Sequence, residues 1–325
     1  MSGAAPVWPG YLPWAELVAA SRREFVRVVR RFWIIPEIIP AQDLEHIGLL
    51  YCVCRRLDDA VDEAASTEQA RAALEDFRAE LSGRAAPRPL IAAFLAGAAK
   101  SGLPLDCMQL LLEGMESDLG CVRIPDDQAL LRYAYRVSAA VGLMLAPLLQ
   151  IHSREGVQRV VDLGVALQLT NNIFGVADDA RRDRVYLPAS RLCAAGLDAQ
   201  QALAAPTDAR LRPVLRGLAA LADRYYRSAE QGAALFPLRY RHGVLLVGRA
   251  YRELGIAAAL GAAAPATSTT IPLATRARSL LSVLATAWTP RTLGLIESPA
   301  HDASLHRAFA GWPGTNSPPA TRGPS

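Results

Sequence analysis

"ALQLTNNIFGVADDARRDRVYLP", residues 166–188, decides the fold because it carries a polar stripe along an otherwise apolar helical pattern. The stripe consists of Gln168, Asn171, Gly175, Asp178 and Asp179, at offsets 0, 3, 7, 10 and 11, which is the spacing of one helical face. Polar groups on a core-facing stripe need partners, because burying them unpaired costs several kcal/mol. A metal ion and a diphosphate would be suitable partners, so the stripe predicts a site inside a helical bundle.

A second acidic stripe lies about 110 residues earlier, in "YCVCRRLDDAVDE" (51–63). Asp58 and Asp62 are one helical turn apart, and Asp59 and Glu63 form a second pair of the same spacing. Like charges at this spacing destabilise a helix unless a cation sits between them. Mg²⁺ binds through one or two carboxylates plus substrate phosphates, and Arg55 could hold a phosphate oxygen. A solvated acidic helix face is the alternative interpretation of this stripe alone.

The composition favours an all-α protein with a sizeable core. Residues of the hydrophobic class make up 51% and aromatic residues 6%, and β-branched alternation bounded by tight turns is nearly missing. The net charge of +4 is small and spread along the chain, so we expect no nucleic-acid partner. Five cysteines without zinc-site spacing, together with no evident signal peptide, predict buried thiols in a cytoplasmic protein.

Changes in composition predict three segments. Residues 1–13 are rich in proline and predict an irregular lead-in, and residues 14–290 read as one helical domain. From residue 291 onward, proline, serine, threonine and glycine predict a disordered tail through 325.

The order of these motifs resembles the squalene/phytoene synthase family, the head-to-head branch of the isoprenyl diphosphate synthases, and is most like bacterial phytoene synthases. Matching stretches include "YCVCRRLDDAVDE" (51–63), "DLGVALQLTNN" (162–172), "DARRDRVYLPASRL" (179–192) and a late helical segment (222–255). The resemblance implies a single-domain class I isoprenoid synthase bundle around a central cavity.

Individual functions follow from the same resemblance, position by position. It implies substrate contacts at Arg55, Tyr133, Gln168 and Tyr251. It implies magnesium ligands at Asp58 and Asp62, with Asp59 beside them, and at Asp178 and Asp179.

Two positions depart from the family pattern. The leading acid of the second motif is replaced by Gly175, and the arginine before it by Phe174. Asn171, Gly175 and Asp179 nevertheless fall at i, i+4 and i+8, where related class I terpene cyclases bind one Mg²⁺ through Asn, Ser or Thr, and Glu. We therefore hypothesise that Asn171 and Asp179 still hold one metal ion, with water over Gly175 and Asp178 assisting.

The activity implied is Mg²⁺-dependent head-to-head condensation of two prenyl diphosphates, geranylgeranyl or farnesyl diphosphate, with Mn²⁺ as an alternative ion. Geranylgeranyl diphosphate would give phytoene through a cyclopropyl diphosphate, and we expect no NADPH. The very apolar product predicts peripheral membrane contact. Two alternatives remain open: chemistry on a single prenyl diphosphate, by cyclisation or transfer to another acceptor, and an inactive helical binding or assembly protein.

Overall fold

The computed structural model describes residues 14–31, 40–261 and 273–315. Fifteen α-helices run through these residues: α1 Trp14–Arg31, α2 Ala41–Asp62, α3 Thr67–Leu81, α4 Pro89–Ser101, α5 Asp106–Glu116, α6 Asp127–Ala134, α7 Ala140–Leu148, α8 Arg154–Phe174, α9 Val176–Ala180, α10 Ala189–Ala194, α11 Ala199–Ala204, α12 Leu211–Gln231, α13 Leu238–Ala259, α14 Leu273–Ala287 and α15 Pro290–Leu293. The all-α prediction is confirmed.

Short segments complete the chain between the α-helices. A π-helix, Tyr135–Ala139, joins α6 to α7, and two 3₁₀-helices occupy Ala233–Leu235 and Ala303–Phe309. Two-residue strands, β1 Val122–Arg123 and β2 Arg184–Val185, pair in parallel.

Helix α8 forms the centre of the bundle and packs against α7, α12, α13 and the π-helix. It begins where the Ser153 hydroxyl accepts a hydrogen bond from the Gly156 amide, a standard N-cap. Gly164 in its middle lets the π-helix approach, since a Cβ at this position would lie only 2.5 Å from the Cα of Ala139. This contact fixes the π-helix against α8, the helix that carries the predicted site residues Gln168 and Asn171.

The continuous run Asp127–Leu148 is long and apolar enough to cross a membrane by length and composition alone. Half of its most apolar window is buried inside the bundle, and Leu130, Tyr135 and Met144 have almost no exposed surface. Core helices of soluble proteins commonly have this composition. The run is therefore accounted for as a core helix of the bundle.

The prediction of a disordered tail is wrong for residues 291–315. Leu305 and Phe309 of the second 3₁₀-helix are buried, and the Tyr225 hydroxyl donates a hydrogen bond to the Leu305 carbonyl at 2.7 Å. Phe309 packs on Tyr135, with ring centroids 4.9 Å apart. The composition misled because a few buried residues suffice to dock a segment that is otherwise polar. The remaining predicted tail, residues 316–325, and the predicted lead-in, residues 1–13, lie outside the described residues.

Candidate active site

The first acidic cluster is the C-terminal end of α2. Arg55 forms ion pairs with Asp58 at 3.2 Å and with Asp59 at 2.7 Å, so its guanidinium is held among the acids of its own helix. Burial and then the neighbouring Asp62 raise the pKa of Asp58 to about 6, against the partial compensation of Arg55. A carboxyl group with this pKa is crowded by negative charge and gains a favourable partner when a cation binds.

Arg182 and Arg184, which follow the second acidic cluster (Asp178 and Asp179) in the sequence, contact the first cluster. Arg184 Nη1 lies 2.8 Å from Asp62 Oδ1, and Arg182 Nη1 lies 3.3 Å from Asp62 Oδ2. Arg182 also lowers the pKa of both Asp58 and Asp179, so it lies within electrostatic reach of both acidic clusters. The two stripes recognised in the sequence are thus brought together at one end of the bundle.

The second cluster straddles the end of α8. The helix stops at Gly175, whose carbonyl accepts hydrogen bonds from the amides of Asp178 and Asp179 at 2.8 and 2.9 Å, and α9 continues the turn. Burial raises the pKa of Asp179 to about 7, with Arg184 opposing the shift and Asp118 adding to it. Asp179 is therefore the half-buried acid of this cluster, whereas Asp178 is exposed.

Asp178 lies on the solvent side of α9. Its side chain is 54% exposed and forms an ion pair with Arg181 on the same turn. The predicted assistance of Asp178 at the metal is therefore not supported by its position in the metal-free chain.

Gly175 leaves space that the Asp179 carboxylate occupies. A Cβ at position 175 would lie 3.0 Å from Asp179 Oδ2 and 2.9 Å from the carbonyl oxygen of Asn171. Asn171, Gly175 and Asp179 therefore share one face despite the interruption of the helix, with the carboxylate turned back over the glycine. The lack of a side chain at Gly175 therefore makes room for the Asp179 carboxylate.

The polar side chains of α8 form a short amide chain. Asn171 Nδ2 donates to Gln168 Oε1 at 3.4 Å, and Gln168 Nε2 donates to Asn172 Oδ1 at 2.9 Å. Phe174, which stands where the family has arginine, packs near Tyr251 with ring centroids 6.4 Å apart. Burial raises the pKa of Tyr251 to about 12, so its hydroxyl stays protonated as a hydrogen-bond donor.

Tyr133 belongs to a buried group that the sequence did not predict. Asp118 accepts hydrogen bonds from Tyr133 at 2.9 Å and from Tyr186 at 2.6 Å, and the two tyrosine rings stack with centroids 4.7 Å apart. Burial raises the pKa of Asp118 to about 6, which the tyrosines and Arg184 partly oppose. This group lies directly behind the acids, since Asp118 in turn perturbs Asp179.

A periodicity in the sequence could have revealed part of this group. Arg184 and Tyr186 are two residues apart along the extended segment that begins with β2, and alternate residues of such a segment point to the same side, while Arg182 lies in the turn before it. The two arginines contact Asp62 and the tyrosine contacts Asp118. Asp118 itself carries no comparable sequence signal, because its partners are far away along the chain.

Apolar side chains of α7 and α8 that keep some accessible surface form the candidate apolar wall of a substrate cavity. Val141 of α7 and Leu163 and Leu167 of α8 pack on the core and keep some accessible surface. Cys54 of α2 also keeps accessible surface although burial raises the pKa of its thiol to about 12. Side chains that are surrounded by protein yet accessible are typical of a cavity wall.

Hard oxygen donors in this arrangement fit Mg²⁺. Asp58 and Asp62 offer carboxylates one turn apart on α2, Asn171 offers an oxygen from the end of α8 and Asp179 a carboxylate from α9. Burial is the main cause of the raised pKa values of Asp58 and Asp179, and a bound cation would oppose it. Arg182 and Arg184 stand beside these acids, as a diphosphate-binding site requires.

A helical bundle that brings two acidic clusters and basic groups together at one end is the arrangement expected of a class I prenyltransferase. The sequence profile of the squalene/phytoene synthase family matches residues 26–265, and the chain belongs to this family of prenyltransferases. The resemblance noted from the motifs is thereby confirmed.

Known relatives agree with this membership. A phytoene synthase of Cereibacter sphaeroides is 35% identical over 234 residues, which is 68% of this chain and 65% of the relative. A phytoene synthase of Rhodobacter capsulatus is 33% identical over 245 residues, covering 72% of this chain and 70% of the relative. A crystal structure of a dehydrosqualene synthase in complex with ligand has the same fold, with a TM-score of 0.71 at 22% identity over 84% of this chain and 96% of that one.

Proposed function

We propose that this chain joins two molecules of geranylgeranyl diphosphate head to head, in a Mg²⁺-dependent reaction that gives phytoene through a cyclopropyl diphosphate. The observation that carries the proposal is the ionic connection between the clusters. Asp62 of the first cluster is bound by Arg182 and Arg184, which follow Asp179 of the second. Similarity to two phytoene synthases supports the choice of substrate.

The acidic end of the bundle would bind the diphosphate groups of the substrates. Asp58, Asp62, Asn171 and Asp179 would hold Mg²⁺, which supplies positive charge against the departing diphosphate. Arg182 and Arg184 donate hydrogen bonds to the leaving group in exchange for part of their contact with Asp62. Preorganised donors of this kind stabilise the charge that develops as an allylic C–O bond breaks.

The apolar wall protects the reactive carbon skeleton. Val141, Leu163 and Leu167 offer no nucleophile and exclude water, which would otherwise capture an allylic cation before the two prenyl chains join. Phe174 and Tyr251 add two aromatic faces next to the polar end. Electron-rich ring faces attract cations, so this pair would stabilise positive charge near the diphosphate.

Product analysis tests the proposal. The purified protein is incubated with geranylgeranyl or farnesyl diphosphate, with Mg²⁺, Mn²⁺ or EDTA, and with or without NADPH, and the lipids are extracted. We expect phytoene from geranylgeranyl diphosphate, the same yield without NADPH, and no product in EDTA. A cyclic or single-chain product would favour the alternative chemistry on one prenyl diphosphate. Failure to release diphosphate with either ion would favour the binding-protein alternative.

We also propose that the protein contacts a lipid bilayer through an exposed apolar stripe on α14 and the segment after it. Leu281, Leu284 and Trp288 lie on one helical face, Trp288 is 81% exposed, and Leu295 and Ile296 extend the surface. Amphipathic surfaces with tryptophan are typical of the membrane–water interface, where a very apolar product would leave the enzyme.

Vesicle co-sedimentation tests this contact. Replacing Leu281, Leu284 and Trp288 by serine should abolish binding to anionic phospholipid vesicles, whereas Leu105→Ser, which removes an exposed leucine outside the stripe, should leave it unchanged. Equal sedimentation of both variants and the wild type would refute the assignment of this surface.

A further inference from the structure

The segment Pro299–Thr315 forms a strap across the outside of the bundle, beyond the family match that ends at residue 265. Its carbonyl groups accept hydrogen bonds from the core: Pro299 from Arg159, Leu305 from Tyr225 and Pro313 from Tyr135. Trp312 lies under the Arg136 guanidinium, 4.9 Å from the ring centroid. The strap thus touches α8, α12 and the π-helix.

The polar centre of this contact is Asp162, which is fully buried on α8. Asp162 Oδ2 lies 2.8 Å from His301 Nε2 and accepts a hydrogen bond from Ser228 at 2.6 Å, and Asp162 Oδ1 lies 3.0 Å from His306 Nε2. The histidine side chains are 2% and 1% exposed, and their ring centroids are 4.3 Å apart. Both histidines of the strap therefore contact the carboxylate of Asp162.

Charges around Asp162 favour neutral histidines. The Arg159 guanidinium donates to the Ser228 hydroxyl at 2.6 Å, so a permanent cation already faces the buried carboxylate. His306 Nδ1 is buried without a hydrogen-bond partner among the residues that the structure describes, so a second proton on this ring would create an N–H group unpaired within them. Leaving a buried donor unpaired costs more than a normal hydrogen bond contributes.

Three potential metal ligands converge here, since the ligating atoms of Asp162, His301 and His306 lie within 4.8 Å of one another. Both imidazoles, however, lie at hydrogen-bond distance from the carboxylate, and Ser228 fills a further acceptor position. A divalent ion would add two positive charges beside buried Arg159 and displace these hydrogen bonds. The hydrogen-bonded arrangement accounts for the cluster without a metal ion.

We propose that Asp162, His301 and His306 form a proton-sensitive latch that fastens the strap to α8 while the imidazole of His306 is neutral and releases it when this ring takes up a proton. The latch lies on the strap side of α8, about 13 Å along the helix from Asn171. The proposal therefore does not depend on the proposed reaction.

The direction of the pH dependence follows from burial. Burial lowers the pKa of His306 below its ordinary value, and the contact with Asp162 offsets only part of this shift. When the strap is undocked, the His306 ring is exposed to water and binds a proton more readily than in the docked state. Docking is therefore complete above about pH 6.5 and weakens as the pH falls below it. Asp162 does not reverse this trend: burial would raise its pKa, but the histidine hydrogen bonds outweigh burial and hold the pKa below the ordinary value.

Other charged groups lie near the latch. Arg159 faces it from α8, with Glu155 in reach of Arg159; Arg224 faces it from α12 and Asp302 from the strap itself, where Arg224 and Asp302 lie 3.9 Å apart. Hydrogen bonds and backbone contacts lower the pKa of Asp302 further, so it stays negative. The neutral phenol of Tyr225 completes the surroundings. Among the groups around the latch, His306 is therefore the one whose change of charge we expect to release the strap as the pH falls.

Hydrogen exchange of the full-length protein measures the latch directly. Protection of the strap amides, corrected for the intrinsic pH dependence of exchange, is followed from about pH 7.5 to 5.5. We expect protection to fall by up to about tenfold per pH unit for each histidine involved, while the centre of α8 stays protected. The double variant His301→Gln/His306→Gln keeps amide donors near the Nε2 positions and should show weaker protection that no longer changes with pH.

Controls separate the latch from general acid effects. His152→Gln removes an exposed histidine in the turn before α8 and should keep the wild-type pH profile. Strap protection that stays flat with pH, or a transition that persists in the double glutamine variant, would overturn the proposal. It would also be overturned by one tightly held transition-metal ion per chain whose removal with EDTA releases the strap at neutral pH.

Discussion

At the scale of single residues, Asp62 has the central position, because it joins the acids of α2 to the arginines that follow α9. Asp62→Asn should lower kcat/KM by at least the roughly 10- to 100-fold that is typical of removing a partner at a metal site. Steady-state kinetics with varied Mg²⁺ would measure this loss together with a higher Mg²⁺ requirement.

Asp178→Asn is the informative companion of Asp62→Asn. The sequence assigns both acids to the metal, whereas Asp178 is exposed and paired with Arg181. We expect a much smaller loss for Asp178→Asn, and Asp76→Asn, on the exposed face of α3, controls for surface charge. Equal losses at positions 62 and 178 would mean that Asp178 turns inward when substrate binds.

Substitution of Gly175 distinguishes two hypotheses, a second metal site that has lost a needed acid and a second metal site that works with glycine. Because a Cβ at 175 would press on Asp179 Oδ2 and on the Asn171 carbonyl, Gly175→Ala and Gly175→Asp should both lower turnover, the aspartate variant more. Single-turnover kinetics at saturating Mg²⁺ would report the chemical step. Faster turnover in Gly175→Asp would show instead that the second metal site lacks an acid that it can use.

At the scale of elements, the contact between α8 and the π-helix sets the geometry of the site. Gly164→Ala should destabilise the protein by about 1–3 kcal/mol, because the added methyl group would overlap the Ala139 backbone. Gly243→Ala in α13 is the matched control: no atom lies within 4 Å of its added Cβ, so the better helix propensity of alanine should stabilise by up to about 1 kcal/mol. Urea unfolding gives both values, and a neutral Gly164→Ala would contradict the tight contact.

The helical elements were readable from the sequence because periodicity and turn residues act locally. Within the polar stripe of 166–188, Asn171, Gly175 and Asp179 share one face as predicted, whereas Asp178, beyond the end of α8 at Gly175, is exposed. The group around Asp118 was missed because its partners Tyr133 and Tyr186 lie 15 and 68 residues away. The strap was missed because its docking depends on a few long-range contacts, such as those to Asp162.

At the scale of the whole molecule, metal binding and protonation are linked. In the metal-free chain, burial raises the pKa of Asp58 to about 6 and that of Asp179 to about 7, above the ordinary 3.8. The folded chain then binds more protons than the unfolded chain between about pH 4 and 7, so its stability falls as the pH rises through this range. Mg²⁺ should displace these protons, and its affinity should rise with pH up to about 7 to 8.

Titration calorimetry in two buffers of different ionisation enthalpy measures the protons released when Mg²⁺ binds together with a non-hydrolysable prenyl diphosphate analogue. We expect net release near pH 6.5 and much less near pH 8.5. Thermal melts in EDTA should show that the stability of the protein falls as the pH rises from about 4 to 7. Mg²⁺ binding without proton release at the lower pH would contradict the assignment of these acids as ligands.

The central claim is that two prenyl chains meet in one bundle, and an isotope-mixing assay tests it most directly. The protein and Mg²⁺ are given equal amounts of unlabelled and fully deuterated geranylgeranyl diphosphate, and the extracted product is analysed by mass spectrometry. We predict a product with twice the substrate's carbon number, in which a large share of molecules carries one labelled and one unlabelled half. Products that keep the carbon number of one substrate, with labelled and unlabelled molecules unmixed, would contradict head-to-head condensation.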